Sequence, residues 1–517
     1  MTDITTKTLR CQNGVIRQSR RLALEMSYVL PDNKPRIVSV TDTHVSLAAS
    51  SVTVSGDIAE LDISAEAQIL YNALAVSESE EHLFSTACCF SKVFKESCQI
   101  ELDQSDEITA FDVDCHLDNV KCVLISDRKV VLTLTVTLDT TAKTCISAQC
   151  VESFDHPNVI TKPASLCGVR SLGIFHTDAF IKEDAQLPEG LPQVESILLR
   201  SISVIIDNSK ILNGRAIFYG TLHADMVVST EDESAKFAST CIDVSFNQVC
   251  DVPGAGEDSK LFITPNVTSA SFDVKSGNTV GVDVSVTFAV EAFAPYNDNI
   301  ICDAILPGKM LLPQLCTVFN CDSAIISQSI GVCSEKLAPA DDAPQTVLSA
   351  FVTAQECNAY PTEGGVCFDG VYSVKTVYVP KSDSNLLCVE AHQVPFSYMA
   401  SSPADMTNVL SPRIDVKSVT AQANDFGEIT VKWVATAEAL CLCYTPADAI
   451  SGATVEDNAH HSPAMYYHFI KDGETAWDVA RRFAVDPVFI CSTNEINSPT
   501  EPIEQKGVVV IIKGNLK

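Results

Sequence analysis

Alternation governs most of this chain. Between residues 20 and 450, runs of Val, Ile, Thr and Ser recur, broken by Gly, Pro, Asn and Asp. That is the pattern of successive β-strands, and helical periodicity is scarce there. The pattern also repeats. Gly220 opens GTLHADMVV, an acidic break STEDESA follows, and FASTCIDVSF closes on Phe246. Gly370 opens GVYSVKTVYV, then PKSDSN, then LLCVEAHQVPF closing on Phe396. The interval from Gly to Phe is the same in both. A first copy reads ISAEAQILY, SESEEH, LFSTACCFSKVF, with no opening glycine and a longer break. Each copy is followed by a further strand pair, with the Gly-containing turns SGN and NDFGE read as hairpins in the second and third.

A 517-residue chain exceeds what one core organises, and a recurring unit of this size favours repeated modules over a single large sheet. The expected fold is mainly β: three tandem sandwich-like modules at 1–155, 156–312 and 313–450, a linker at 451–464 and a small terminal domain at 465–513. The junctions fall near 154–164 and 307–316.

The terminal segment changes period. A short strand YYHFI and the turn KDGET precede AWDVARRF, where Ala476, Val479, Ala480 and Phe483 share one helical face. Thr475 stands at the N-cap with Asp478 three residues on, a capping-box spacing. Asp486 and Pro487 start a second helix, Ile490 lies on its inner face, Asn494 near its end, and Gly507 precedes the closing strand VVVII. The expected core is Ile470, Val479, Ala480, Phe483, Ile490 and Ile511, which leaves Trp477 and Phe489 off the inward face as candidate partner anchors.

This βααβ order, with G-E-T in front and I-x-x-x-N behind, resembles the LysM domain. The resemblance implies a shallow groove for N-acetylglucosamine chains formed by Gly473, Glu474, Thr475, Ile496 and Asn497. Upstream, strand-turn-strand modules with an acidic loop and V-P-F resemble the SPOCS domains of sporulating Firmicutes. SPOCS repeats ahead of one LysM domain resemble clostridial spore-coat morphogenesis proteins. That resemblance implies a non-catalytic scaffold in the mother-cell cytoplasm, recruited to the forespore surface and docking the ATPase of the coat basement layer. The competing reading is a peptidoglycan-binding anchor.

Charge and motifs narrow the rest. A formal charge of −31 repels nucleic-acid phosphates and anionic membranes, and no Lys/Arg-rich run offers an exception. The amino terminus has no signal-peptide pattern and no run reaches membrane-spanning length. The 21 cysteines therefore read as reduced, mostly buried small residues without zinc spacing. No G-x-S-x-G, G-x-x-x-x-G-K or H-E-x-x-H occurs. PGAGED reads as a hairpin turn, Cys115 and His116 face opposite sides of one strand, and His460-His461 is a solvated linker pair. No enzyme, metal or cofactor is expected.

Overall fold

The computed structural model describes residues 4–76, 81–101, 107–275, 278–337, 342–401, 408–456, 465–503 and 508–512. Eighteen long strands precede the terminal segment, and one connection scheme recurs three times. In the first run, β1 (Ile4–Val29), β2 (Ile37–Ser55), β3 (Ile58–Val76), β4 (Glu81–Gln99), β5 (Glu107–Ser126) and β6 (Lys129–Phe154) form sheets ordered β1-β6-β5 and β2-β3-β4. In the second, β7 (Ile160–Gln186), β8 (Val194–Leu212), β9 (Arg215–Thr230), β10 (Phe237–Asp251), β11 (Lys260–Lys275) and β12 (Thr279–Ile305) form β7-β12-β11 and β8-β9-β10. In the third, β13 (Met310–Leu337), β14 (Pro344–Thr362), β15 (Gly365–Pro380), β16 (Cys388–Ser401), β17 (Asn408–Ala423) and β18 (Ile429–Glu456) form β13-β18-β17 and β14-β15-β16. Paired strands are antiparallel throughout.

The period of two dictates the packing. In β3, Leu61, Ile63, Ala65, Ala67, Ile69 and Tyr71 are all buried, and in β6 Leu132, Leu134 and Val136 face them across one core. Each large aliphatic so buried contributes about 1.5–3 kcal/mol over exposure. Across the seam between the two sheets, Tyr28 of β1 stacks on Phe90 of β4 at 4.4 Å, and Gln248 of β10 donates to Thr177 of β7 at 2.7 Å.

The repeat interval has a geometric cause. Gly220 does not open a strand: it lies within β9, directly opposite Phe246 of β10, and Gly370 of β15 lies opposite Phe396 of β16. A Cβ at either glycine would sit 2.5 Å from the Phe ring tip, so the ring lies where a side chain would stand. In the first run Ile63 takes the glycine's place opposite Phe94.

Six strands are unusually long, at 26 to 28 residues. Beyond Cys145, Phe293 and Leu442 no described residue of the third strand pairs with the sheet, and among the described residues β1/β6, β7/β12 and β13/β18 continue as two-stranded ribbons. The ribbons pack on one another through Cys150, Leu166, Ile300, Val318 and Ala449, and nearer their tips through Val151, Ala304, Leu306, Leu311 and Ile450. Cys150 Sγ and Cys316 Sγ stand 3.7 Å apart there. A second meeting place of the three runs joins Leu70, Leu198, Leu199, Val227, Phe351 and Val377.

The structure corrects several expectations. Strand β18 continues to Glu456, pairing with β13 from Met310 on, so 451–456 is not linker; Val455 packs with Leu311 at the ribbon tip. Residues 457–464, with His460-His461, lie outside the described residues, as do Gly507 and the side chain of Ile511. PGAGED turns the chain between β10 and β11, which belong to different sheets, so it is a crossover rather than a hairpin. Asn424 does close the NDFGE hairpin, its side chain accepting from the Phe426 and Glu428 amides at 3.0 Å. None of the twenty described cysteines is in a disulfide. Eight are buried, while Cys89, Cys167 and Cys241 are exposed, because alternation puts every second residue of a surface sheet toward water.

Candidate functional site

After β18 the chain forms β19 (Met465–Phe469), α1 (Ala476–Phe483), α2 (Pro487–Asn494) and β20 (Val508–Ile512), with β19 and β20 antiparallel. Local chemistry sets both helix starts. The Thr475 hydroxyl accepts from the Asp478 amide, and the Asp478 carboxylate accepts from the Thr475 amide at 3.0 Å. Asp486 caps α2 through the Val488 amide at 2.8 Å, with Pro487 next. Both helices end on residues in the left-handed region, Ala484 (φ 52) and Glu495 (φ 57), where glycine is usual. Val479, Ala480 and Ile490 are fully buried, with Ile470 and Phe483 half-buried beside them.

The two loops expected to form a groove do lie together. The Ile503 amide donates to the Glu474 carbonyl at 3.0 Å, the Trp477 amide to the Pro499 carbonyl at 2.8 Å, and Thr475 bridges to Pro502. Within this frame the candidate residues separate. Gly473 holds the turn at φ 78 with open space around it, and Asn497 is exposed. Thr475 is engaged as the cap, and Ile496 is half-buried in the terminal core.

Glu474 is turned inward and already engaged. It is 8% exposed and accepts from the Lys471 amide at 3.0 Å and from His468 Nε2 at 2.8 Å, with Arg482 at 3.4 Å. Burial pushes its carboxyl up, but the Lys471 amide, His468 and Arg482 outweigh burial and hold it below the ordinary 4.5.

Trp477 likewise departs from expectation. It is 4% exposed, and its indole N–H donates to Asp303 of β12 at 2.8 Å. Arg481 reaches the same carboxylate at 3.2 Å, Lys162 lies over the indole, and the Gly308 amide donates to the Ala484 carbonyl at 2.9 Å. The terminal segment is thereby seated on the ribbon end of β7 and β12, with Ile305 and Ile160 in its core. Helical periodicity gives the face turned to the segment's own core and is silent about a second face covered by a neighbour. Phe489 is exposed as expected, beside the more exposed Val488.

A cleft of about 570 Å³ remains, walled by Met310, Leu311 and Leu312 of β13 on one side and by 471–474, Asp478, Arg481 and Arg482 on the other. Its charges, two Asp and one Glu against one Lys and two Arg, balance. Of the sequence candidates only Gly473 and Glu474 line it. The basic pair closing α1 was readable as a helix C-terminal preference; no local signal marks Asp303 or the β13 wall.

The class defined by this architecture is a strand-dominated protein with a small helical terminus. More particularly, residues 193–275, which span β8 to β11, match the family described as SipL, SPOCS domain. The chain is thus a SPOCS-containing protein, and such a domain points to a sporulation-related role. No curated protein and no solved structure matches it. Among the described residues no helix is long and apolar enough to cross a membrane.

Proposed function

We propose that this protein is a non-catalytic scaffold in spore-envelope assembly, built of three SPOCS-type modules and a C-terminal LysM-type domain that docks a protein partner. By the resemblance in sequence, the partner is the coat-basement ATPase and the setting is the mother-cell cytoplasm at the forespore surface. The observation that carries the reading is the SPOCS match within a strand order that recurs on both sides of it. The terminal segment favours protein over glycan as its ligand: Glu474 is spent on His468 and Arg482, and Thr475 on its cap, which leaves few groove polar groups for sugar hydroxyls. With Trp477 covered by β12, the docking anchors are Phe489 and Val488 on α2.

The test is surface-immobilised full chain against purified coat-basement ATPase. Phe489→Ala should weaken capture at least tenfold without shifting the melt, as loss of a central aromatic anchor does. Normal capture by that variant, together with retention of the chain on N-acetylglucosamine polymer, would hand the function to the peptidoglycan-anchor reading.

A further inference from the structure

The three runs of strands enclose a chamber of about 830 Å³, walled by β2, β3 and β5 of the first, β8 and β11 of the second and β14, β15 and β16 of the third. Its size falls in the range of small-molecule sites. What it can hold follows from its charges. Lys375 donates to both oxygens of Asp42 at 2.9 Å and to the Thr43 carbonyl at 3.3 Å. Arg200 pairs with Glu66, donates to the Ala270 carbonyl at 2.8 Å and stacks on Phe272. Both cations are therefore committed, and both carboxylates beside them are neutralised.

An incoming anion would find both cations already paired, with only the buried Arg200 Nε left without a partner, and would face a strongly acidic protein; an incoming cation would have to break a pair. Asp118, also on the wall, accepts from Arg21 and from Thr137 at 2.9 Å, and the rest of the wall is amide, hydroxyl, imidazole and apolar. Asn119, Thr353 and Gln393 stand exposed at the rim, Gln393 donating to Gln355 at 3.2 Å, with Asn266 deeper in the wall. His44 is kept uncharged by burial and by Lys375. His392 Nε2 is shut from solvent without a hydrogen-bond partner, and a turn of its ring would present it to a ligand. Amides and imidazoles both donate and accept, as sugar hydroxyls do. Ile202 and Val267 supply apolar wall for the C–H faces of a pyranose ring.

We infer that this chamber is a binding site for a neutral, hydroxyl-rich ligand, a short oligosaccharide, held between all three runs of strands and separate from the terminal segment.

Calorimetric titration of the full chain with maltotriose and with chitotriose tests it, with inorganic phosphate and spermidine as charged controls. Saturable binding of at least one saccharide, weakened tenfold or more by Asn266→Ala and by Gln393→Ala and unchanged by Asn497→Ala, is the expected result. Gln393 is exposed, so its replacement leaves the fold intact and an unchanged melt confirms this. The inference is overturned by no saturable heat with either saccharide, by binding of phosphate or spermidine in their place, or by saccharide binding that Asn497→Ala abolishes and Gln393→Ala leaves alone. That last outcome would place the sugar on the terminal loops and count against the protein-docking reading as well.

Discussion

The three runs of strands meet at several places, and the ribbons and the chamber differ in what holds them. Along the ribbons they meet mainly through apolar residues, Cys150, Leu166, Ile300 and Val318, continued at the ribbon base by Phe293 and Leu442, with the Lys7–Asp298 ion pair beside them. Around the chamber they meet through Arg200 with Glu66 and Lys375 with Asp42. An apolar junction is tolerant of direction and strong in aggregate, whereas a junction of paired charges gains little over its desolvation cost and fixes geometry instead. The ribbons hold the assembly together; the chamber keeps its parts in register and leaves room between them.

The sharpest way to break that contrast is Phe293→Ala. Phe293 is 1% exposed where β11, β12, β13 and β18 converge, and its loss should cost about 3–5 kcal/mol in denaturant unfolding. A cost under ~1 kcal/mol would mean the apolar junction is not what holds the runs together. At the chamber, Asp42→Ala should cost less, about 1–3 kcal/mol, because the Lys375 amine then keeps only the Thr43 carbonyl. The contrast fails if the chamber variant proves the more damaging.

Acid sharpens it further. Burial, then Lys375, lowers His44 from 6.5 to about 4. Between those values the unfolded chain takes up a proton that the folded one refuses, so the part of stability that His44 governs should fall as pH drops from 6.5 toward 4, against the opposite contribution of Asp114, whose carboxyl burial raises to about 8. His44→Gln should flatten that slope; an unchanged pH profile of melting temperature would contradict the assignment. The smallest effect concerns thiols. A small disulfide reagent should exchange at the half-buried Cys316, and Cys150, 3.7 Å away, should then displace the reagent's thiol to leave one Cys150–Cys316 bond. Cys115 at the chamber, pushed up to about 12 by burial and by Asp114 and Asp139, should stay unmodified. Peptide mapping without reductant reads both.

Local rules made part of this legible. Alternation located the strands, and the shared Gly-to-Phe interval was readable because opposite positions in a hairpin fix a sequence distance. Thr475, Asp478, Asp486 and Pro487 gave both helices because caps act over three or four residues. What stayed hidden is long-range. Nothing in a strand of period two says that it pairs with the fifth strand after it or outlasts its sheet as a ribbon. Nothing in AWDVARRF says that Trp477 will be claimed by Asp303, more than 170 positions upstream. The chamber was likewise invisible, since its walls come from eight strands and its charge pairs join different runs.

The pairing of each run's first strand with its last has a consequence for how the chain comes to be folded. Val29 pairs with Lys129 and Ile4 with Phe154, so β1 emerges from the ribosome and waits for a partner a hundred or more residues behind it. At synthesis rates of about 5–20 residues per second, β1 spends at least about five seconds without its partner, and β7 and β13 repeat the wait in turn. Non-local pairing of this kind is slow. The hairpins β3/β4, β9/β10 and β15/β16 are complete well before those partners arrive, and each offers the waiting strand an apolar surface to rest on while the sixth strand is still being made.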